Sequence, residues 1–94
     1  MSEKAIRHVE DESRYELLVD GVLVSVVGYT RRGDVVVLAN TATEPEFRHR
    51  GHATELVGAV LHDLESQGVR TLVHCPFIRW YQEQHPPTPT VSPV

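Results

Sequence analysis

Arg48-His49-Arg50-Gly51-His52-Ala53-Thr54 is the point at which the hydrophobic period of this 94-residue chain changes. Upstream, apolar side chains come in short, β-branched runs. Downstream, Ala53, Leu56, Val57, Val60, Leu61 and Leu64 recur at helical spacing and mark one face of an α-helix. The heptapeptide therefore opens a helix. The first four N–H groups of a helix lack partners, and that end carries a partial positive charge. A glycine there lets the backbone come close to an anion. Arg48, His49, Arg50 and His52 add positive side chains where the helix dipole disfavours them, and a bound anion would neutralise both. The plainer alternative is a solvated basic loop in which Gly51 only turns the chain.

The flanking elements follow from local signals. Residues 15–20 read as a strand, Asp20-Gly21 as a hairpin turn, and residues 22–29 as a second strand. Arg31-Arg32-Gly33-Asp34 is another turn, and residues 35–40 form a third strand. After the helix, Gly68 is a C-terminal cap. Residues 69–75 predict a fourth strand. Pro76 suits the first position of a short helix running to residue 84, with Phe77, Ile78, Trp80 and Tyr81 available for packing. The predicted order is βββαβα. It describes an α+β fold with a mixed sheet: an antiparallel three-strand meander, plus one strand parallel to the third through a right-handed crossover. Ligands in such sheets sit beyond the carboxyl ends of the parallel strands. Here those ends are residues 40–43 and His74-Cys75, and the glycine loop opens the crossover helix at the same edge.

Composition narrows the class. A chain of this length allows one domain. A net charge of −4 argues against bulk electrostatic binding of nucleic acid, so no nucleic-acid partner is expected. No apolar run approaches the roughly 20 residues that cross a bilayer, so no membrane partner is expected either. One cysteine excludes an intramolecular disulfide framework, and residues 1–4 lack an apolar signal core. A cytoplasmic location is the resulting expectation. Residues 1–13 are polar and read as a flexible N-terminal segment. Residues 86–94 carry Pro86, Pro87, Pro89 and Pro93 and read as a disordered tail, which leaves residues 14–85 as the folded domain.

Arg48-x-x-Gly51-x-Ala53, after a β run and opening a helix, resembles the acyl-CoA pyrophosphate loop of the GCN5-related N-acetyltransferases. That loop reads Gln/Arg-x-x-Gly-x-Gly/Ala, and its backbone amides hold the CoA pyrophosphate. The wider pattern is similar to the small, single-domain YjdJ-type subgroup. It consists of Glu44-Pro45-Glu46-Phe47-Arg48-His49-Arg50-Gly51, then Gly68-Val69-Arg70, His74-Cys75-Pro76-Phe77-Ile78, Tyr81 and His85-Pro86. The resemblance implies a truncated acyl-CoA N-acyltransferase fold with acetyl-CoA as co-substrate. The acceptor would be an amine on a protein, peptide or small molecule. The implied cofactor-binding residues are Thr41, Ala42 and Thr43 on the third strand and Arg48, His49, Arg50, Gly51, His52, Ala53 and Thr54 in the loop. The subgroup ends its third strand with His-Thr, an acidic residue and Val. Here the stretch is Asn40-Thr41-Ala42-Thr43, so the histidine and the acid are gone. That departure suits an alternative, a CoA-binding or regulatory module without turnover. A protein-interaction domain with the proline-rich tail as its ligand segment is a third reading.

Cys75 is the candidate catalytic residue. It precedes Pro76, where a helix N-cap would sit, and a thiol near a helix N-terminus gains thiolate character. It could take the acyl group as a nucleophile, donate a proton to the leaving CoA thiolate, or be a small buried apolar residue. Tyr81 reads mainly as a packing residue, and His62 falls on the solvated side of the main helix. The six histidines show no paired spacing of a zinc site, so no metal is expected.

Overall fold

The computed structural model describes residues 3–85. The expected tail, residues 86–94, lies outside them. Five strands form one sheet in the order β1-β2-β3-β4-β5: Lys4–Val9, Arg14–Val19, Val22–Arg32, Val35–Thr43 and Arg70–Val73. The helices are α1, His52–Ser66, and α2, Pro76–Gln84. The first four strands are antiparallel, and β4 pairs with β5 in parallel. The α+β class and the mixed sheet are as the sequence implies.

The meander has four strands, not three. Residues 4–9 of the segment expected to be flexible form β1, so the order is ββββαβα. The reason is visible in its burial: residues 4–7 are exposed and residues 8 and 9 half-buried. An edge strand of this kind shows no apolar run. It is held instead by the backbone ladder to β2 and by polar contacts. Glu3 N–H donates to Asp20 Oδ1 at 2.8 Å, and Asp20 N–H donates to the Glu3 carbonyl at 2.7 Å. The His8 ring stacks on Tyr15 at 4.1 Å, and its Nε2 is 2.6 Å from the Tyr29 hydroxyl.

The turns are those the residues dictate. Asp20 and Gly21 both have positive φ, +51° and +82°, as a two-residue hairpin turn between right-twisted strands requires. Helix α1 ends in a Schellman arrangement. Gly68, at φ +70°, donates to the Glu65 carbonyl at 3.0 Å, and Val69 N–H reaches the Leu64 carbonyl at 3.4 Å.

Both helices cover one face of the sheet: α1 lies over β2, β3 and β4, and α2 over β4, β5 and α1. Leu17, Val24, Val27, Leu38, Leu56 and Ile78 are completely buried between the layers. His62 is exposed, as expected. On the helix-free face, Arg7, Glu16, Val26 and Ala42 form one cross-strand row. Glu16 is only 1% exposed there. Its Oε1 accepts from Arg7 Nε at 2.9 Å, and its Oε2 lies 2.6 Å from Arg14 Nη2. Hydrogen bonding from Arg7 is the main force holding its carboxyl below the usual range. Burial opposes the shift, and Arg14 adds to it.

A carboxylate whose folded pKa is depressed stabilises the protein above its unfolded pKa, and that contribution disappears as pH falls toward the folded value. Glu16 should therefore contribute fully above about pH 4.5, its ordinary value, and progressively less below it. Urea unfolding of wild type and Glu16→Gln across pH should show a gap of about 1.5–3 kcal/mol at neutral pH that narrows in acid. A gap that persists unchanged in acid would sever it from the ionisation of Glu16.

Candidate active site at the parting of the parallel strands

The parallel ladder stops early. Its last pair is Leu38↔Val73, and His74 N–H makes one further bond to the Leu38 carbonyl at 3.0 Å. Strand β4 runs on to Thr43 beside β3, while the other chain turns at Cys75 into α2. The two strands therefore part at their carboxyl ends. The β4–β3 register also shifts at this level: Gly28 pairs with Asn40 but Tyr29 with Leu38, which makes Ala39 an extra residue. Such a bulge reverses which side chains face the core. Val36 and Leu38 face the helices before it; Thr41 and Thr43, opposite the buried Val27 and Ser25, face them after it.

The parting opens into a cleft of about 460 Å³ lined by Thr41, Ala42, Thr43, Phe47, Arg48, His49, Gly51, His52, Ala53, Thr54 and Phe77. One wall is the N-terminus of α1. Its N-cap, Gly51, has φ +80°, and His49 two residues earlier is also left-handed at φ +64°. A Cβ added at Gly51 would meet no protein atom within 4 Å, because it would project into open space. No side chain caps the helix. Among the described residues, the N–H groups of His52, Ala53 and Thr54 have no acceptor; the first capping bond is Glu55 N–H to the Gly51 carbonyl, 3.0 Å. Arg48 Nε reaches the Thr43 carbonyl at 3.4 Å and ties the loop to the end of β4. His52 is 9% exposed, and its Nδ1 is buried without a partner among the described residues.

Nine of the ten residues singled out for cofactor binding thus line one cleft. Arg50 does not. It lies over the Phe47 ring, 5.8 Å from its centroid, and lines a neighbouring hollow with Lys4, Asp20 and Val22. Phe47 and Phe77 are cleft residues that sequence reasoning passed over. Their signal was position alone, just before the loop and in the first turn after Pro76.

Cys75 is the N-cap of α2, and Pro76 its first residue. The side chain is 5% exposed and stands behind the cleft wall. Its Sγ is 3.4 Å from Thr41 Oγ1. Burial pushes the thiol up, but the Thr41 hydroxyl and the backbone amides of Ile78, Phe77 and Thr41 outweigh it, leaving the pKa below the ordinary thiol value. The neighbouring His74 is exposed. Tyr81 does not line the cleft; it lines a separate hollow with Gly58, Leu61 and His62. Its hydroxyl rests on Gly58 in the middle of α1, where an added Cβ would come within 2.7 Å of it. Among the described residues no group of three or more His, Cys, Asp or Glu could hold a metal ion, and no helix is long and apolar enough to cross a membrane.

Residues 14–91 match the family model described as GCN5-related N-acetyl-transferase. The chain belongs to the GCN5-related N-acetyltransferase family. That family model describes the family as a whole and does not name the narrower YjdJ-type subgroup. No curated protein sequence matches. Solved structures of the same fold include the ribosomal-protein-S18-alanine N-acetyltransferase of Escherichia coli. It is 19% identical with a TM-score of 0.64, over 77% of this chain and 50% of that one. A ribosomal-protein-alanine N-acetyltransferase from Brucella melitensis is 15% identical with a TM-score of 0.60, over 89% and 90%. An aminoglycoside N-acetyltransferase solved with CoA is 20% identical with a TM-score of 0.57, over 90% and 86%. This acetyltransferase-family chain therefore spans half the length of the Escherichia coli enzyme and most of the other two.

Proposed function

We propose that the protein moves the acetyl group of acetyl-CoA to an amine. The observation that carries this reading is the coincidence, in one cleft, of an uncapped helix N-terminus and the parted ends of two parallel strands. The helix end supplies three unpaired amides and the flanking Arg48 guanidinium for a pyrophosphate. Between the parted strands, a pantetheine arm can pass toward Thr41. Family membership and the CoA-bound aminoglycoside enzyme support the same ligand. Cys75, with its loosened proton, is the thiol that serves the reaction. Among the described residues the cleft is open to solvent beside Thr41–Thr43, which suits an amine on a protein or peptide as well as a small molecule. The loss of the histidine and acid at Asn40 and Ala42 favours one other reading, a CoA-binding module without turnover.

Acetyl-CoA should stabilise the fold, because a ligand that binds only the native state raises stability by mass action. At about 100 times its Kd the gain is about 2.7 kcal/mol, or several degrees in Tm for a domain of this size. ATP is the control for simple phosphate affinity. No shift with acetyl-CoA, or an equal shift with ATP, overturns the reading. A shift without amine-dependent release of CoA would favour the binding module.

A further inference from the structure

We propose that Thr41 hands a proton to the departing CoA thiolate, with Cys75 behind it as the source of that proton. The inference rests on the acetyltransferase reading above and assigns the thiol its role within it. Two arrangements carry it. Thr41 lines the cleft and is half-buried, whereas Cys75 is 5% exposed and does not reach the cleft wall. The two side chains meet at 3.4 Å. The hydroxyl therefore stands between the cleft and the sulfur. A nucleophile must touch the thioester carbon, and Cys75, 5% exposed and outside the cleft lining, is not placed to do so. A proton donor need only be connected to the leaving group.

A hydroxyl donates and accepts at once, so it can relay a proton without being an acid itself. The thiol behind it is a suitable acid, because a thiol and a thiolate leaving group have similar proton affinities. The sulfur belongs to the N-cap of α2, where the amides of the helix's first turn favour the anion that remains. The step balances as follows. The amine nitrogen forms the C–N bond, the C–S bond breaks, and its electron pair stays on the CoA sulfur. That sulfur takes the Thr41 hydroxyl proton as Oγ1 takes the Cys75 proton. The new amide nitrogen sheds its extra proton to water, and Cys75 recovers one from water after product leaves. The net change is amine plus thioester to amide plus thiol.

The chain has one cysteine, so the thiolate absorbance reports Cys75 once its three tyrosinates are followed separately at their longer-wavelength band. Titration of wild type, Thr41→Val and Thr41→Ser should place the thiol pKa highest in Thr41→Val and near wild type in Thr41→Ser. With acetyl-CoA and hydroxylamine, a small amine that needs no docking surface, kcat should fall by about 10²-fold or more in Thr41→Val. KM for acetyl-CoA should hold, and Thr41→Ser should recover turnover. Intact mass after mixing with acetyl-CoA alone should show no acetyl-enzyme. An acetyl adduct on Cys75, an unmoved titration in Thr41→Val, or wild-type turnover by that variant overturns the relay alone. A wild-type protein that neither binds CoA nor releases it from acetyl-CoA overturns the acetyltransferase reading and the relay together.

Discussion

Cys75→Ala will bind acetyl-CoA as wild type does and lose about 10²–10⁴-fold in turnover, the usual contribution of a positioned acid. Binding should survive because Cys75 lies behind the cleft wall rather than on it. Cys75→Ser is the sharper test. It keeps the shape of the N-cap and a group able to bond to Thr41, but a hydroxyl is a far weaker acid than a thiol. It should be nearly as inactive as alanine. Alkylation gives an independent view. A thiol with lowered pKa reacts below pH 8.5, its unperturbed value, but one that is 5% exposed reacts slowly, and bound acetyl-CoA should slow it further. Thermal unfolding of both variants separates chemistry from packing. If Cys75 is only a core residue, the variants will lose stability while their turnover stays at the wild-type rate. Unchanged turnover in Cys75→Ser would remove the thiol from the mechanism.

Gly51→Glu will fold and show no stabilisation by acetyl-CoA. The glycine has φ +80° and open space where a Cβ would project. A Cβ there meets no protein atom within 4 Å, so the first atom of a side chain does not crowd the folded state. Its cost is confined to the left-handed backbone, about 1–2 kcal/mol. The added carboxylate, however, would stand beside the unpaired amides of His52, Ala53 and Thr54 and occupy the place proposed for a pyrophosphate. Gly51→Ala is the companion variant. It carries the same backbone cost without the charge and should lose only part of the affinity. The measurement is the Tm of each variant with and without acetyl-CoA. A full ligand shift in Gly51→Glu would mean that the phosphate seat lies elsewhere.

Much of the site was legible because its parts are local. The loop announces itself by Gly51 followed at once by a helical apolar period, and Leu56, Val57, Val60 and Leu64 are buried as that period requires. Gly68 and Pro76 mark a helix end and a helix start through backbone chemistry that needs no distant partner. The convergence of residues 41–43, 48–54 and 75 on one sheet edge followed from the direction of a βαβ crossover. Arg50 was not separable from Arg48 in the same way. Both are arginines flanking one loop, and only the packing of Phe47 turns Arg50 to the far side.

Local sequence thus specified the turns, the helix limits, the strand–helix order from β2 onward and the glycine-opened start of α1, since each depends on backbone geometry and spacing within a few residues. Tertiary structure decided three further things. Strand β1 exists because β2 offers a ladder, a buried Glu16 for Arg7 and a Tyr15 ring for His8; its own residues bury too little apolar surface to announce it. Cys75 is buried because α2 folds back over β4 and β5. Thr41 meets it because Ala39 is bulged against β3. Strict alternation from Val36 and Leu38 would have put Asn40, not Thr41, on the helix face. A bulge is a property of two paired strands, and one residue of slip exchanges the faces of everything beyond it.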